Sequence, residues 1–262
     1  MKVIVITGGT RGIGRGLAEA FLSLGCKVTI TSRRQDVVDE SIVQLSNKFG
    51  SQNILAQVCD VNNVVDVQAL WDTASQKFGK IDIWVNNAGQ ANLLKKFWEL
   101  DSGSIQSVVA TNIEGAMYGS KIAITGMIQQ GHGALYNILG FGSNGMKING
   151  LALYGTTKYA IKYFTDCLKK EIKGTPVIVG SISPGMVTTD MLLGEYRTDP
   201  QRLKKAKRIF NILADHVETI SPYIAQTVLN NNKNGTDIAW LTRSKIFWRF
   251  LSSPFYKRNI IK

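Results

Sequence analysis

Tyr154 and Lys158 are the residues of this sequence whose types and spacing first suggest chemistry. They stand four apart at the start of a helical run, Tyr154–Lys173, so their side chains share a face. A phenol with an ordinary pKa of about 10 is a poor proton shuttle near neutrality. A neighbouring ammonium favours the phenolate and draws that pKa towards the working range, which makes the pair a candidate proton-transfer unit. Ile161, Phe164, Leu168 and Ile172 follow as the buried stripe beside it. The competing reading is a tyrosine and a lysine on a solvated helix face, since a lone Tyr-x-x-x-Lys pair arises readily by chance.

A second constellation, Thr7-Gly8-Gly9-Thr10-Arg11-Gly12-Ile13-Gly14, follows a strand-like run and opens a helical one. That context suits phosphate binding. Gly8 permits a tight turn, Gly12 lets the backbone approach a pyrophosphate, Gly14 allows close helix packing, and the helix N-terminus offers free amide donors. Gly8, Thr10, Arg11, Gly12, Ile13 and Gly14 are therefore candidate cofactor contacts. An acid ending the second strand would hold the ribose hydroxyls of NAD. Here that strand ends Thr29-Ile30-Thr31-Ser32-Arg33-Arg34, with no acid before Asp36. Ser32 and Arg33 are the candidates at this end, with Arg33 placed to fork onto a 2′-phosphate and Arg11 as a second cation. Arg34 is left to solvent. The expected cofactor is NADPH.

The elements that must position these residues alternate. Strand-like runs at Val3–Thr7, Lys27–Ser32, Ile54–Val58, Ile81–Asn86, Ala134–Leu139, Val177–Ser181 and Asp237–Leu241 are separated by helical patterns. Ile13, Leu17, Ala20, Phe21 and Leu24 form one such apolar stripe, closed by Gly25. The succession predicts an α/β fold: a doubly wound, Rossmann-type parallel sheet of about seven strands with helices on both faces. One domain over residues 1–242 is expected. Residues 190–232 interrupt the alternation as a helical substrate lid, and residues 243–262 trail as a basic, aromatic tail.

Composition narrows the function. The strand pattern begins at once, and no apolar stretch approaches the ~20 residues of a membrane-spanning helix, so a cytoplasmic protein is expected. Cys26, Cys59 and Cys167 read as buried thiols. His132 and His216 are too few for a typical zinc or Ser-His-Asp site, and no metal is expected. The net charge of +12 is concentrated in two places. Arg243, Lys245, Arg249, Lys257, Arg258 and Lys262 follow the last acid, Asp237, while Arg197, Arg202, Lys204, Lys205, Lys207 and Arg208 surround a helix. A solvated basic surface and attraction to an anionic substrate or membrane both fit. No nucleic-acid-binding motif accompanies the charge.

Further motifs fall in order around these two constellations: Asp60-Val61 after the third strand, Asn86-Asn87-Ala88-Gly89, Asn112 on a helix, and Pro184-Gly185-Met186-Val187-Thr188-Thr189. With them the chain resembles the short-chain dehydrogenase/reductase family over nearly its whole length. The resemblance implies that Asp60 and Val61 meet the adenine and that Asn86, Ala88 and Gly89 form the fourth-strand motif. Pro184, Gly185, Val187 and Thr189 would lie at the nicotinamide end. It implies that Tyr154 protonates a carbonyl oxygen, that Lys158 tunes Tyr154 and holds the nicotinamide ribose, and that Asn112 anchors a proton-relay water. One member departs from the pattern. The family's usual Asn-Ile/Val-Ser-Ser run reads Asn137-Ile138-Leu139-Gly140, so Gly140 takes the serine slot. Ser143, eleven residues before Tyr154, is the nearby hydroxyl. Either Ser143 or backbone amides would hold the carbonyl.

The loop Asn137-x-x-Gly140-x-Gly142-Ser143 is similar to the chlorophyll b reductase branch of that family. So are Tyr154-Gly155-x-Thr157-Lys158, Ser183–Leu193, Phe210–Thr219 and Asp237–Thr242. That resemblance implies NADPH-dependent reduction of a formyl group to hydroxymethyl, on a bulky, apolar small-molecule substrate. Met186, Met191, Leu192, Leu193, Tyr196, Phe210 and Ile212 would offer it adaptable apolar surface. Reduction of another hydrophobic aldehyde or ketone, and a non-catalytic NADPH-binding regulator, are the alternatives. A homo-oligomer is the family expectation. The tail suits peripheral contact with an anionic bilayer, or packing on a neighbouring subunit or the core.

Overall fold

In the computed structural model, which describes residues 1–91, 95–197 and 200–261, seven parallel strands lie in the order β3-β2-β1-β4-β5-β6-β7. They are β1 (Val3–Ile6), β2 (Lys27–Ser32), β3 (Ile54–Val58), β4 (Ile83–Asn86), β5 (Gly133–Ile138), β6 (Val177–Ser183) and β7 (Asp237–Ala239). β1 is central, with Val5 opposite Thr29 on one side and Trp84 on the other. The strand order reverses between β1 and β4. A crevice therefore opens outside their carboxyl ends, where doubly wound sheets bind ligands.

Helices cover both faces. On one side lie α1 (Gly12–Ser23), α2 (Gln35–Phe49) and α9 (Val217–Asn230), whose Leu17, Phe21, Leu45, Ile224 and Val228 are buried with Ile4, Ile6 and Ile30. On the other lie α3 (Val64–Phe78), α5 (Gly115–Gln130) and α6 (Ala152–Glu171), which bury Val67, Leu70, Ala123 and Met127 against Val5, Trp84 and Leu135. The expected stripe of α1 ends one residue early. Leu24 follows the helix and is exposed, and Gly25 turns the chain in the left-handed region. Cys26 and Cys59 are buried thiols, Cys167 is half-buried, and burial pushes the Cys59 thiol up to about 12.

The segment expected as a lid divides. α7 (Asp190–Arg197) and α8 (Pro200–Leu213) stand beyond β6, but α9 is a core helix lying against α1. Phe210 and Ile212 are buried, and Tyr196 meets Phe210 edge-on, so these three hold the segment together. The tail also packs inward. Its helix α10 (Arg243–Ser252) sends Arg249 to Asp215, a carboxylate only 4% exposed, at 2.7 Å. Arg258 closes on the same carboxylate and donates to the carbonyls of Ile212 and Ala214, while Trp240 Nε1 donates to it at 2.6 Å. Burial alone would raise the Asp215 pKa, but the Trp240 and Arg249 hydrogen bonds and the two guanidinium charges hold it below the usual carboxylate range. Two of the six tail cations are thus internal. The side chain of Arg197 and all of Lys262 lie outside the described residues.

Candidate active site

The glycine loop leaves β1 at the switch point and is stitched to the end of β4. Thr7 Oγ1 accepts from the amides of Asn87 and Ala88 at 3.1 Å, and Asn87 Nδ2 donates to the carbonyls of Thr7 and Gly8. Thr31 Oγ1 accepts from the Gly8 amide. A Cβ on Gly14 would land on Asn87 Nδ2, so the close packing expected of Gly14 is packing against this asparagine. Gly8 and Gly12 both take positive φ, and no side chain caps the α1 N-terminus. Its amides, with those of Thr10 to Ile13, remain available to phosphate oxygens. Thr189 lies across from Gly12, within 3.4 Å of where a Cβ would be. Pro184, Gly185, Val187 and Thr189 follow β6 at the same edge, and Val187 bridges to Asp215.

At the end of β2, Arg34 pairs with Asp36. Arg33 and Arg11 are exposed, with no ion pair among the described residues. These two unneutralised cations fit a phosphate on the ribose. Ser32 Oγ accepts from the Arg34 amide, and the Asp60 carboxylate accepts from the Asn62 amide next to buried Val61. Ala88 and Gly89 line the turn after β4. The Asn86 side chain ties strands and helix together inside the protein. Its Nδ2 donates to Asn137 Oδ1, Ser120 Oγ and the Ala116 carbonyl, and its Oδ1 accepts from Trp84 Nε1.

Tyr154 and Lys158 share the inner face of α6 beside the end of β5. Lys158 is 6% exposed, and its Nζ donates to the Ile138 carbonyl at 3.1 Å and lies 5.8 Å from the Tyr154 ring centre. Burial pushes the Tyr154 phenol up to about 12 and draws the Lys158 amine down to about 8. Both effects favour neutral groups, and for Tyr154 this is the reverse of the downward shift expected from a neighbouring ammonium, because burial outweighs it. Asn112 sits in a π-helical turn, Ala110–Glu114, between α4 (Ser102–Val109) and α5. Such turns occur frequently at functional sites. Its side chain donates to Thr157 Oγ1 and the Gln90 carbonyl and accepts from the Gln90 amide. It therefore ties the β4 exit loop to α6 beside the pair.

Gly140 explains the altered loop. A Cβ there would land against the Tyr154 hydroxyl and within 3.3 Å of Lys158 Cε, so the tyrosine occupies the space a serine would need. Ser143 follows one turn later, its amide bonded to the Gly140 carbonyl, and makes no hydrogen bond to Tyr154. Thr7, Thr31, Asn87, Gln90 and Thr157 also build the site but were absent from the sequence-derived candidates. Thr7, Thr31, Asn87 and Thr157 lay within quoted motifs without being singled out, whereas Gln90 lies outside them.

The model of the short chain dehydrogenase family matches residues 2–199. The chain belongs to that family. This short-chain dehydrogenase is 37% identical over 258 residues to the chlorophyll(ide) b reductase NOL of Oryza sativa subsp. japonica, covering 95% of this chain and 74% of that one. It superposes on a serine dehydrogenase complexed with NADP+ with a TM-score of 0.78 at 26% identity, covering 90% and 93% of the two chains. NADP-bound ElxO gives 0.81 at 25% identity, covering 93% and 99%. The chain is therefore a Rossmann-type oxidoreductase acting on carbonyl or CH–OH groups with a nicotinamide cofactor. No described helix is long and apolar enough to cross a membrane. The rice relative is named as chloroplastic, a location that does not match the expectation of a cytoplasmic protein.

Two outcomes follow for this short-chain dehydrogenase. Restoring the family serine by Gly140→Ser is expected to displace Tyr154 and lower kcat by about ten- to a hundredfold, measured on any carbonyl the enzyme reduces. Lys158 titrates lower folded than unfolded, so between about pH 8 and its unfolded pKa of about 10.4 it binds more protons in the unfolded chain and its contribution to stability rises with pH. Cys59 and Tyr154, raised by burial, act in the opposite direction in that range, so denaturant melts should show a slope more positive in the parent protein than in Lys158→Met. Equal slopes in the two proteins would contradict a buried amine.

Proposed function

We propose that this chain is an NADPH-dependent reductase of a bulky, apolar aldehyde or ketone. The formyl group of a chlorophyll b-type pigment is the leading substrate. The observation that carries the reading is the half-buried phenol of Tyr154 beside buried Lys158, at the same edge as the glycine loop. A carbonyl that receives hydride on carbon needs a proton on oxygen, and a neutral phenol is the form that can give one.

In this reading the glycine loop and the α1 N-terminus hold the pyrophosphate, and Arg33 and Arg11 hold the 2′-phosphate. Asp60 and Val61 flank the adenine, while Pro184 to Thr189 border the nicotinamide end. NADPH supplies the hydride. Tyr154 Oη donates its proton to the carbonyl oxygen, and Lys158 stabilises the phenolate left behind and binds the ribose. Asn112, locked by Gln90 and Thr157, fixes the π turn through which a water re-protonates the pair. With Gly140 under the phenol, Ser143 or the loop amides polarise the carbonyl. Asn86 serves by holding β4 to β5 and α5.

Apolar side chains exposed on three connections support a bulky substrate. Phe97 and Trp98 follow β4, Met146 and Ile148 follow β5, and Met191 opens α7. All three connections leave the carboxyl ends of strands, where the pair sits. The rice relative's name, chlorophyll(ide) b reductase, supports a formyl-bearing pigment among such substrates. Exposed Tyr159 and Tyr163 on α6, with Met117 on α5, offer a face for a second copy.

The test is incubation with NADPH and a panel of chlorophyll b, chlorophyllide b and simpler aldehydes and ketones, with products identified by mass. A hydroxymethyl pigment is expected, reduced about a hundredfold or more in Tyr154→Phe while NADPH binding persists. Turnover of the simpler carbonyls alone would remove the pigment. Binding without any turnover would favour the regulator. Arg33→Asp is expected to weaken NADPH binding about tenfold or more and spare NADH, by fluorescence titration. Equal losses for both cofactors would place the 2′-phosphate elsewhere.

A further inference from the structure

The tail helix α10 is reversed relative to an ordinary surface helix. Its arginine, Arg249, points inward to the buried Asp215 carboxylate, while Phe247, Trp248, Phe250 and Leu251 face water. Phe247 and Trp248 are 61% and 63% exposed and meet edge-on, with ring centres 5.7 Å apart. Phe255 and Tyr256 extend the patch beyond the helix. A surface helix usually buries its apolar stripe and exposes its charges. A concentration of exposed aromatics this dense marks an interaction surface.

The orientation is fixed. Asp215 holds Arg249 and Arg258 from both ends of the tail, Arg249 also reaches the Leu213 carbonyl, and the amides of Ile260 and Ile261 donate to Asn211 Oδ1. Rolling α10 to hide its aromatics would strip Arg249 from a buried acid, and Arg258 holds the segment after the helix to the same acid. The aromatic face is therefore held outward by the protein's own interior.

Charge decides what covers it. No acid follows Asp237. Arg243 opens α10, Lys245 lies over the Trp240 ring, and Lys257 is exposed beside Tyr256. Neighbouring α8 exposes Lys204, Lys205 and Arg208. A second copy meeting through the same patch would set these cations against themselves, because a two-fold contact pairs a surface with its own image. An anionic bilayer accommodates both features, aromatics at the headgroup–acyl boundary and cations among the lipid charges. We propose that α10 and the segment after it dock this protein peripherally on an anionic membrane. This goes beyond the reductase reading and does not depend on the substrate.

The test is co-sedimentation of the full chain with phosphatidylcholine vesicles prepared with and without phosphatidylglycerol. Binding is expected only to the anionic vesicles, weakened by high salt and reduced about tenfold or more in Phe247→Ser/Trp248→Ser. NADPH binding by that variant serves as the folding control. Should it fail to fold, Lys204→Glu/Lys205→Glu replaces it and is expected to weaken binding to the anionic vesicles. Equal binding to neutral vesicles, no binding to anionic ones, or unchanged binding by a folded variant overturns the proposal. So does a Phe247→Ser/Trp248→Ser protein that changes oligomeric mass but binds vesicles as before, which would make the patch a contact between copies.

Discussion

An amine buried beside a phenol and hydrogen-bonded to a strand-end carbonyl is the constraint on which the rest of this structure depends. Lys158 gives up hydration to sit against Ile138, and that burial draws its pKa down. The position holds only while β5 and α6 keep a fixed separation. They are kept there by a buried polar chain from Trp84 through Asn86 and Asn137 to Thr165, which itself donates to the Ile161 carbonyl one turn below Lys158. Each of these groups is satisfied inside the core, where an unmet donor or acceptor would cost about 1–3 kcal/mol. The chain is thus more than strand glue. It sets the height of α6 over the sheet edge, and with it the place of Tyr154.

The same constraint accounts for the glycine in the serine slot. With α6 drawn this close, the phenol hydroxyl lies where the Cβ of residue 140 would be. Gly142 repeats the arrangement one step on, because its Cβ would strike the backbone of Gly155. Two glycines let the β5 exit loop lie flat against the head of α6. The exchange is of one hydroxyl for a closer loop, and it leaves the space beside residue 140 to Tyr154 and Lys158.

Local periodicity carried most of the fold. Short apolar runs ending in polar residues marked every strand to within two residues at each end, since a strand buried on both faces needs such a run. The glycine loop and the Tyr-Lys pair were legible for the same reason: their chemistry needs fixed spacing along one element. What escaped depends on contacts between elements. Asn86 stood in a legible motif, but its partners lie on β5 and α5, 30 to 51 positions away, where no spacing points. Nor does spacing announce that Asp215 gathers Trp240, Arg249 and Arg258, because only the folded chain brings 25 to 43 positions of separation to zero. Leu24 failed differently: the helix stopped a residue before the stripe did, leaving its side chain in solvent.

Asp215 also shows why the helical segment after β6 does not behave as one piece. Its backbone pairs with the cofactor-edge loop, the amide donating to Met186 and the carbonyl accepting from Thr188, while its carboxylate holds the tail. On its amino side stand α7 and α8, and on its carboxyl side α9 is committed to α1 in the core. One residue therefore joins the loop after β6, the helical insertion, the core layer and the C-terminal helix. A basic tail would ordinarily be read as an appendage. Here its two inward arginines neutralise an acid whose main chain pairs with Met186 to Thr188, so the tail and the loop after β6 are parts of one ion-paired assembly.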